Sequence, residues 1–359
     1  MTVIADTIAE LTPQWFTDAL RESGTIDANT SVSAADCVPF GVGQTASLVR
    51  ARLNFQGATG GPPSVIVKQP STDEGRRGLA TGMGFYNSEV RFYEEVAPRV
   101  DIAVPRVYWS AVEEATGRFT LVIEDLSGIA ESGDMLAGAT PEQATLAISA
   151  LIGLQAPLWE NPWIYQRAWL RDFTATRMFF EAAGHGLQPF LDRFGDGMEG
   201  DQIELVKRLA PRAGSAFDEI WRPPFVVAHG DYRLDNMMFG TTADAPRINV
   251  VDWQVARVAP PGIDLAVFLA TCVDVETRRA TERDHLRAWV DGLNGAGVKS
   301  FTFDDAWQSY RSASLYPLLI CIATAATLGH TERDDRLWRQ ISHGAAALVT
   351  DTEADRILA

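Results

Sequence analysis

The stretch His229-Gly230-Asp231-Tyr232-Arg233-Leu234-Asp235-Asn236 limits what this chain can fold into more than any other. It follows the apolar run Phe225-Val226-Val227-Ala228, which has the length and side chains of a short buried strand. A second such run, Ile248-Asn249-Val250-Val251, ends at Asp252. The pattern is strand, acidic loop, strand, acid. Carboxylate and amide oxygens are hard donors of the kind magnesium takes. A loop carboxylate can also orient a hydroxyl and accept its proton. Asp231, Asn236 and Asp252 are therefore the candidates around which the remaining parts are sought.

Composition bounds the search. With 359 residues, the chain is long enough for two domains or one large bilobal unit. A content of 46% hydrophobic and 22% charged residues is ordinary for a soluble globular protein. The formal charge of −16, with no basic stripe, argues against a nucleic-acid partner. It weakly favours a cationic substrate, although an acidic surface most often serves solubility. Cys37, Cys272 and Cys321 are odd in number and far apart, which argues against a disulfide framework or a zinc site. The five histidines show no i, i+4 metal spacing, so a metal-dependent hydrolase built on His229 is disfavoured. The first residues lack a basic segment, and the apolar run from Tyr316 to Leu328 is too short to span a bilayer. The expectation is a cytoplasmic protein with no membrane contact. Nothing in the sequence sets its oligomeric state.

Taken in order, Thr12-Pro13 opens a short helix to Glu22, with Thr12 as N-cap. Three strands are expected from Ser31 to Phe40, Ser47 to Phe55 and Ser64 to Lys68. Gly41-Val42-Gly43 joins the first two, and Lys68 ends the third. A helix from Asn87 to Ala97 stops at Pro98 and carries Glu89 in its first turn; Glu94 and Glu95 are alternatives to it. A strand pair, Pro105 to Val112 and Arg118 to Ile123, leads into Glu124-Asp125-Leu126. Beyond residue 130 the pattern turns helical. Thr140 and Gln143 form a capping box, and one amphipathic helix is expected from Asp201 to Ile220. Val255 to Pro261 reads as loop, Asp264 opens a buried helix, and periodic patterns follow near 275–292, 304–329 and 335–350. The aromatic stretch from Trp159 to Phe180 reads mainly as core, with the option of lining a substrate pocket.

The ordered set Gly41/Gly43, Lys68, Glu89, Glu124, Asp231, Asn236, Asp252 and Asp264 follows the order of kinase parts. Taken singly, a glycine turn or a lysine ending a strand is an ordinary feature; the order is what carries information. His229-Gly230-Asp231 with Asn236, then Val251-Asp252-Trp253-Gln254, resembles the signature of the aminoglycoside phosphotransferase and choline-kinase-like superfamily. A protein kinase would have Arg after the loop histidine and Phe-Gly after Asp252. Leu121-Val122-Ile123-Glu124-Asp125-Leu126, and Ser88-Glu89 ahead of Phe92-Tyr93, resemble the choline/ecdysteroid-kinase-like branch. Leu154-Gln155-Ala156 departs from it, standing where Leu-His-Ala is usual.

The resemblance, from about residue 12 onward, implies an α+β, bilobal protein-kinase-like fold. Residues 1–125 would form a small β-rich, nucleotide-binding N-lobe. Residues 126–359 would form a larger helical C-lobe carrying catalysis and substrate binding. It implies transfer of the γ-phosphate of ATP, with Mg²⁺, to a hydroxyl of a small molecule: aminoglycoside-, choline-, sugar- or steroid-like. Asp231 would be catalytic and Asn236 and Asp252 the metal ligands. Gly41, Gly43, Lys68, Glu89, and Glu124 and Leu126 at the hinge would bind the nucleotide. His229 and Asp264 would be structural supports and Gly230 a turn. Arg233 and Asp235 would touch substrate or form surface ion pairs. The competing reading is a kinase-like nucleotide- or ligand-binding module without turnover. Antibiotic resistance does not follow from such a fold, because one fold hosts many substrates.

Overall fold

The computed structural model describes residues 2–40, 45–57, 60–325 and 331–358. The N-terminal part is an antiparallel sheet of β1 (Ser31–Pro39), β2 (Ala46–Gln56), β3 (Ser64–Pro70), β4 (Val107–Glu113) and β5 (Arg118–Glu124), in the order β1-β2-β3-β5-β4. β3 is central and covered on both faces, which is why Ser64-Val65-Ile66-Val67-Lys68 is apolar without alternation. Side chains still alternate. Val65 and Val67 pack with Phe16, Leu20 and Trp109 under α1 (Pro13–Glu22), whereas Ile66 packs in the main core with Phe85 and Val90. Thr12 caps α1, accepting the Trp15 N–H at 3.1 Å.

Two helices cover the inner face. α2 (Glu74–Gly82) has three glycines in nine residues and gives little helical signal. It forms because Asp73 accepts the Arg76 N–H at 2.8 Å and Ala80 packs into the core. α3 (Phe85–Arg91) starts earlier than expected and continues as a π turn over Phe92–Val96.

The remainder is mostly helical, with two small sheets: β6 (Ala130–Ser132), β8 (Met237–Gly240) and β9 (Ile248–Val250) in one, β7 (Val226–Ala228) and β10 (Arg257–Ala259) in the other. The helices are α4 (Pro141–Gln155), α5 (Pro162–Tyr165), α6 (Thr174–Phe194), α7 (Gly200–Leu209), α8 (Ala213–Ile220), α9 (Gly262–Thr271), α10 (Val275–Gly295), α11 (Phe303–Ala313), α12 (Leu315–Thr324) and α13 (Glu332–Thr352). The capping box at Thr140 and Gln143 is formed. Three expectations are corrected. The single helix from Asp201 to Ile220 is two, because Pro211 lacks an N–H and breaks the ladder between α7 and α8. The 304–329 pattern divides at Ser314 into α11 and α12. The Val255 to Pro261 loop contains β10, a strand created by pairing with β7 rather than by its own three residues.

The departure at Gln155 has a physical reason. The buried Gln155 amide donates to Pro261 O at 2.9 Å and accepts from Trp289 Nε1 at 2.9 Å. One donor and one acceptor are also what an imidazole offers, so the position keeps its bonding role without histidine. Most of the aromatic stretch packs half-buried against the main core, with Met178 exposed. Phe180 is fully buried, and Trp163 lies under the guanidinium groups of Arg99 and Arg167, 4.6 and 4.7 Å from the ring centre.

Candidate active site

The loop after β7 is fixed by its own backbone. Gly230 has φ +81°, and a Cβ there would lie 2.8 Å from Val255 O, so glycine alone fits. Asp264, in the first turn of α9, accepts the His229 and Gly230 N–H groups, both at 2.8 Å. It is fully buried, and burial pushes its carboxyl up against the opposing effect of His229 and these two bonds. The Asp231 N–H donates to His229 Nδ1 at 3.2 Å. That makes Nδ1 the acceptor and leaves the proton on Nε2, which donates to Val251 O at 2.9 Å. His229 therefore ties the loop to the end of β9, and its ring is fully buried. Trp253 packs on it at 4.5 Å, and Phe92 stacks on Trp253 at 3.6 Å. Tyr316, from α12, donates its hydroxyl to Gly230 O at 3.1 Å.

Asp231 is half-buried. Its Oδ2 accepts from Asn236 Nδ2 and meets Arg233 Nε, both at 3.1 Å. Asn236 Nδ2 also donates to Asp231 O at 2.9 Å. The amide nitrogen is thus spent on Asp231, and Asn236 Oδ1 is left as the open acceptor among the described residues. Asp235 is occupied elsewhere, accepting the Met135 N–H at 3.1 Å.

The sheet supplies the second half. Lys68 Nζ, from β3, lies 2.6 Å from Glu89 Oε1 and 2.8 Å from Asp252 Oδ1. Glu89 is the acid that reaches it. Glu94 instead accepts from Ser110 Oγ at 2.8 Å, and Glu95 pairs with Arg91 at 3.0 Å and Arg167 at 3.3 Å. Burial alone would depress the Lys68 ammonium, but Asp252 and Glu89 outweigh it and hold the group well above its usual range. Burial raises Glu89 although Lys68 opposes it, while burial also pushes up the half-buried Asp252 but Lys68 outweighs it and holds that carboxyl low. Asp252 has φ +68°, a left-handed conformation costly for a non-glycine residue and concentrated at functional sites. Gln254 Nε2 donates to its Oδ2 at 3.3 Å, and Thr45 Oγ1 meets Gln254 Oε1 at 2.6 Å. The Asp252 turn is thereby tied to the start of β2.

Asp252 and Asn236 suit Mg²⁺ as a carboxylate and an amide oxygen. Among the described residues no group of three or more His, Cys, Asp or Glu could hold a metal. Glu124 ends β5. Its N–H donates to Arg106 O at 2.9 Å and its carboxylate accepts the Arg106 N–H at 3.2 Å. Leu126 is buried in the following turn. Neither bonds to the loop cluster among the described residues. The turn is secured by Asp125, which takes Ser64 Oγ at 2.6 Å and Arg50 at 2.9 Å. Gly41 and Gly43 lie outside the described residues. Sequence reasoning left Arg233 between a contact with substrate or phosphate and a surface ion pair, and missed Tyr316, for which there was no local signal; the structure pairs Arg233 with Asp231.

Among solved structures, the chain is similar to the GDP and kanamycin complex of APH(2″)-IIIa, with TM-score 0.51 and 13% identity over 95% of this chain and 98% of that one. It is similar to a microcompartment-associated aminopropanol kinase, with TM-score 0.50 and 13% identity over 95% and 99%. It is also similar to a Plasmodium vivax ethanolamine kinase, with TM-score 0.50 and 11% identity over 92% and 84%. At these identities the likeness shows the fold, which is α+β, bilobal and protein-kinase-like. No curated protein matches the chain in sequence. A profile of the phosphotransferase enzyme family matches residues 53–297, well over half of the length, and the chain belongs to that family.

Proposed function

We propose that the protein transfers the γ-phosphate of ATP, with Mg²⁺, to a hydroxyl of a small molecule. One observation carries the reading: Lys68 reaches Glu89 and Asp252 at once, so an ammonium is clamped beside a metal-binding carboxylate contributed from 184 residues away. Such a cation has its use where phosphate charge must be neutralised. Asp231 orients the acceptor hydroxyl. As the hydroxyl oxygen bonds to the γ-phosphorus and the bridging P–O bond to ADP breaks, its proton passes to Asp231. The transition state is loose, so placement of the hydroxyl matters more than basicity. Asn236 and Asp252 would hold Mg²⁺, which would supply neutralisation of phosphate charge. Gly41 and Gly43 would cover the phosphates, and the backbone from Glu124 to Leu126 would face the base. His229, Gly230 and Asp264 shape the loop.

The alternative, a silent nucleotide- or ligand-binding module, is disfavoured because Lys68, Asp231, Asn236 and Asp252 are all present, Lys68 bonded to Asp252 and Asn236 to Asp231. Asp231→Asn is expected to lower phosphoryl transfer about 10³-fold, within the range for loss of an acid–base group. MgATP affinity, measured by thermal shift or calorimetry, should stay within about twofold, since no nucleotide-neutralising charge is removed. Full activity in this variant would remove Asp231 from the mechanism. Absence of any nucleotide binding by the wild type would overturn the phosphotransferase reading.

A further inference from the structure

Beside the loop lies a cavity of about 50 Å³ whose lining joins Asp231 and Arg233 to α9, α12 and α13. Its walls are hydrocarbon: Val267, Pro317, Ile320, Trp338 and Ile341. The two charges at its mouth balance, although Arg233 Nε makes no hydrogen bond among the described residues. Asp231, the one acid in the lining, has Oδ2 against Arg233 Nε, and the Tyr316 hydroxyl is committed to Gly230 O. An ammonium entering here would meet a guanidinium and no uncompensated carboxylate. A neutral alkyl group would lie against the hydrocarbon walls and leave the polar groups at the mouth in place. Its size is several times the roughly 10–15 Å³ that one water needs and about a third of the ~150 Å³ that admits benzene, so it suits a chain of a few carbons rather than a ring.

Resting on the phosphotransferase reading above, we infer that the acceptor is an alcohol with a short, uncharged alkyl group. The alkyl group enters between α12 and α13, and the hydroxyl stays at Asp231. The acidic surface of the chain favours cations in general, but the wall that an acceptor touches does not. Hydroxyl oxygen attacks the γ-phosphorus, ADP leaves, and the proton passes to Asp231, giving an alkyl phosphate.

The test compares n-propanol, n-butanol, n-pentanol and 3-methylbutan-1-ol with ethanolamine, choline and kanamycin. Binding is read by saturation-transfer NMR and turnover by ADP release, both with MgATP present. Affinity for the alcohols is expected to tighten about fourfold per methylene until the cavity is filled, with the amines and kanamycin weaker. Ile320→Trp, at a half-buried position, should fill the cavity and weaken alcohol binding at least tenfold with MgATP affinity unchanged. Ile320→Ala, which adds space and cannot overpack, should shift the best chain length upward by a carbon. Tighter binding of choline or kanamycin than of any alcohol, or chain-length independence in wild type and both variants, would overturn the inference. Failure of MgATP to bind would instead sink the underlying reading, and the alcohol series would still report on the cavity.

Discussion

The two halves of the site are held by opposite physics. On the sheet side, Lys68 is joined to Glu89 and Asp252, 21 and 184 residues away, by charged hydrogen bonds, with Lys68 and Glu89 buried and Asp252 half-buried. On the loop side, His229 to Asn236 is one short segment held mainly through its backbone N–H groups, two of them gripped by Asp264, with Arg233 paired to Asp231. Charge clamps resist change in geometry but not in ionisation, because a single proton or substitution leaves an uncompensated buried ion. Backbone clamps tolerate changes in charge nearby and fail when the segment moves. The first kind fits binding of phosphates; the second fits aiming a carboxylate at a hydroxyl.

The largest effect should come from breaking the charge clamp. Lys68→Met leaves Glu89 and Asp252 facing each other without a cation, at a cost of about 3–5 kcal/mol in stability. Under the proposed function, loss of the cation should also lower kcat/KM about 10²–10³-fold. The pH dependence has a definite sign. With the ammonium gone, burial and Asp252 both raise Glu89 above its unfolded value of about 4.3. The associated stability is then fully present below that value and is lost as pH rises through the folded one. Urea midpoints for Lys68→Met should therefore be higher at pH 5.5 than at pH 8. In the wild type Asp252 is held low, so its contribution is present above about 3.9 and is lost only in stronger acid. Equal midpoints at the two pH values in the variant would show that the carboxylates do not share a buried site.

A smaller and differently shaped effect is expected from the backbone clamp. Asp264→Ala leaves two buried N–H groups unpaired, at about 1–3 kcal/mol each. The loop then loses its anchor, and misplacing Asp231 by about an ångström is enough to cost roughly 10²-fold in kcat. Lys68, Glu89 and Asp252 are untouched, so nucleotide affinity should hold. Calorimetry with MgATP beside steady-state kinetics separates the outcomes. Parallel loss of affinity and turnover would mean that the halves are one mechanical unit.

The same contrast explains what the sequence revealed. The loop is legible because its residues lie within one short stretch and glycine, acid and amide each have a local reason. Lys68 and Glu89 are legible only by order, since neither is distinctive alone. Tyr316 on Gly230, Gln155 on Pro261 and Trp289 on Gln155 are 86, 106 and 134 residues apart, and no local pattern pairs them. The sheet was readable because β2 alternates and β3 is uniformly apolar. β10 was not, because pairing with β7 makes it a strand. α2 was hidden by its glycines, and the α7–α8 break was visible as Pro211 but was overridden by the amphipathic period. The acidic net charge pointed towards cationic acceptors, but composition averages over a surface, whereas the cavity at Asp231 is a few side chains from three helices.

The smallest expected effect probes how tightly the loop side is closed. Cys272 lies beneath the loop, its Sγ accepting the Leu234 N–H at 3.2 Å, and Cys321 lines the cavity beside Asp231. Burial pushes both thiols up to about 12. Cys37, on β1, is half-buried, and its thiol is raised by burial and then by Asp36. The thiolate is the reactive species. Native protein at pH 8 should therefore react with a disulfide reagent at Cys37 alone, and slowly, whereas unfolded protein should titrate all three. Labelling at Cys272 requires the loop to leave α9, so its rate measures local opening rather than thiol chemistry. In Asp264→Ala that rate should rise while Cys37 labelling stays constant. In Lys68→Met, compared at equal fractions folded, it should not. Equal acceleration at Cys272 in both variants would show that the charge clamp also holds the loop shut.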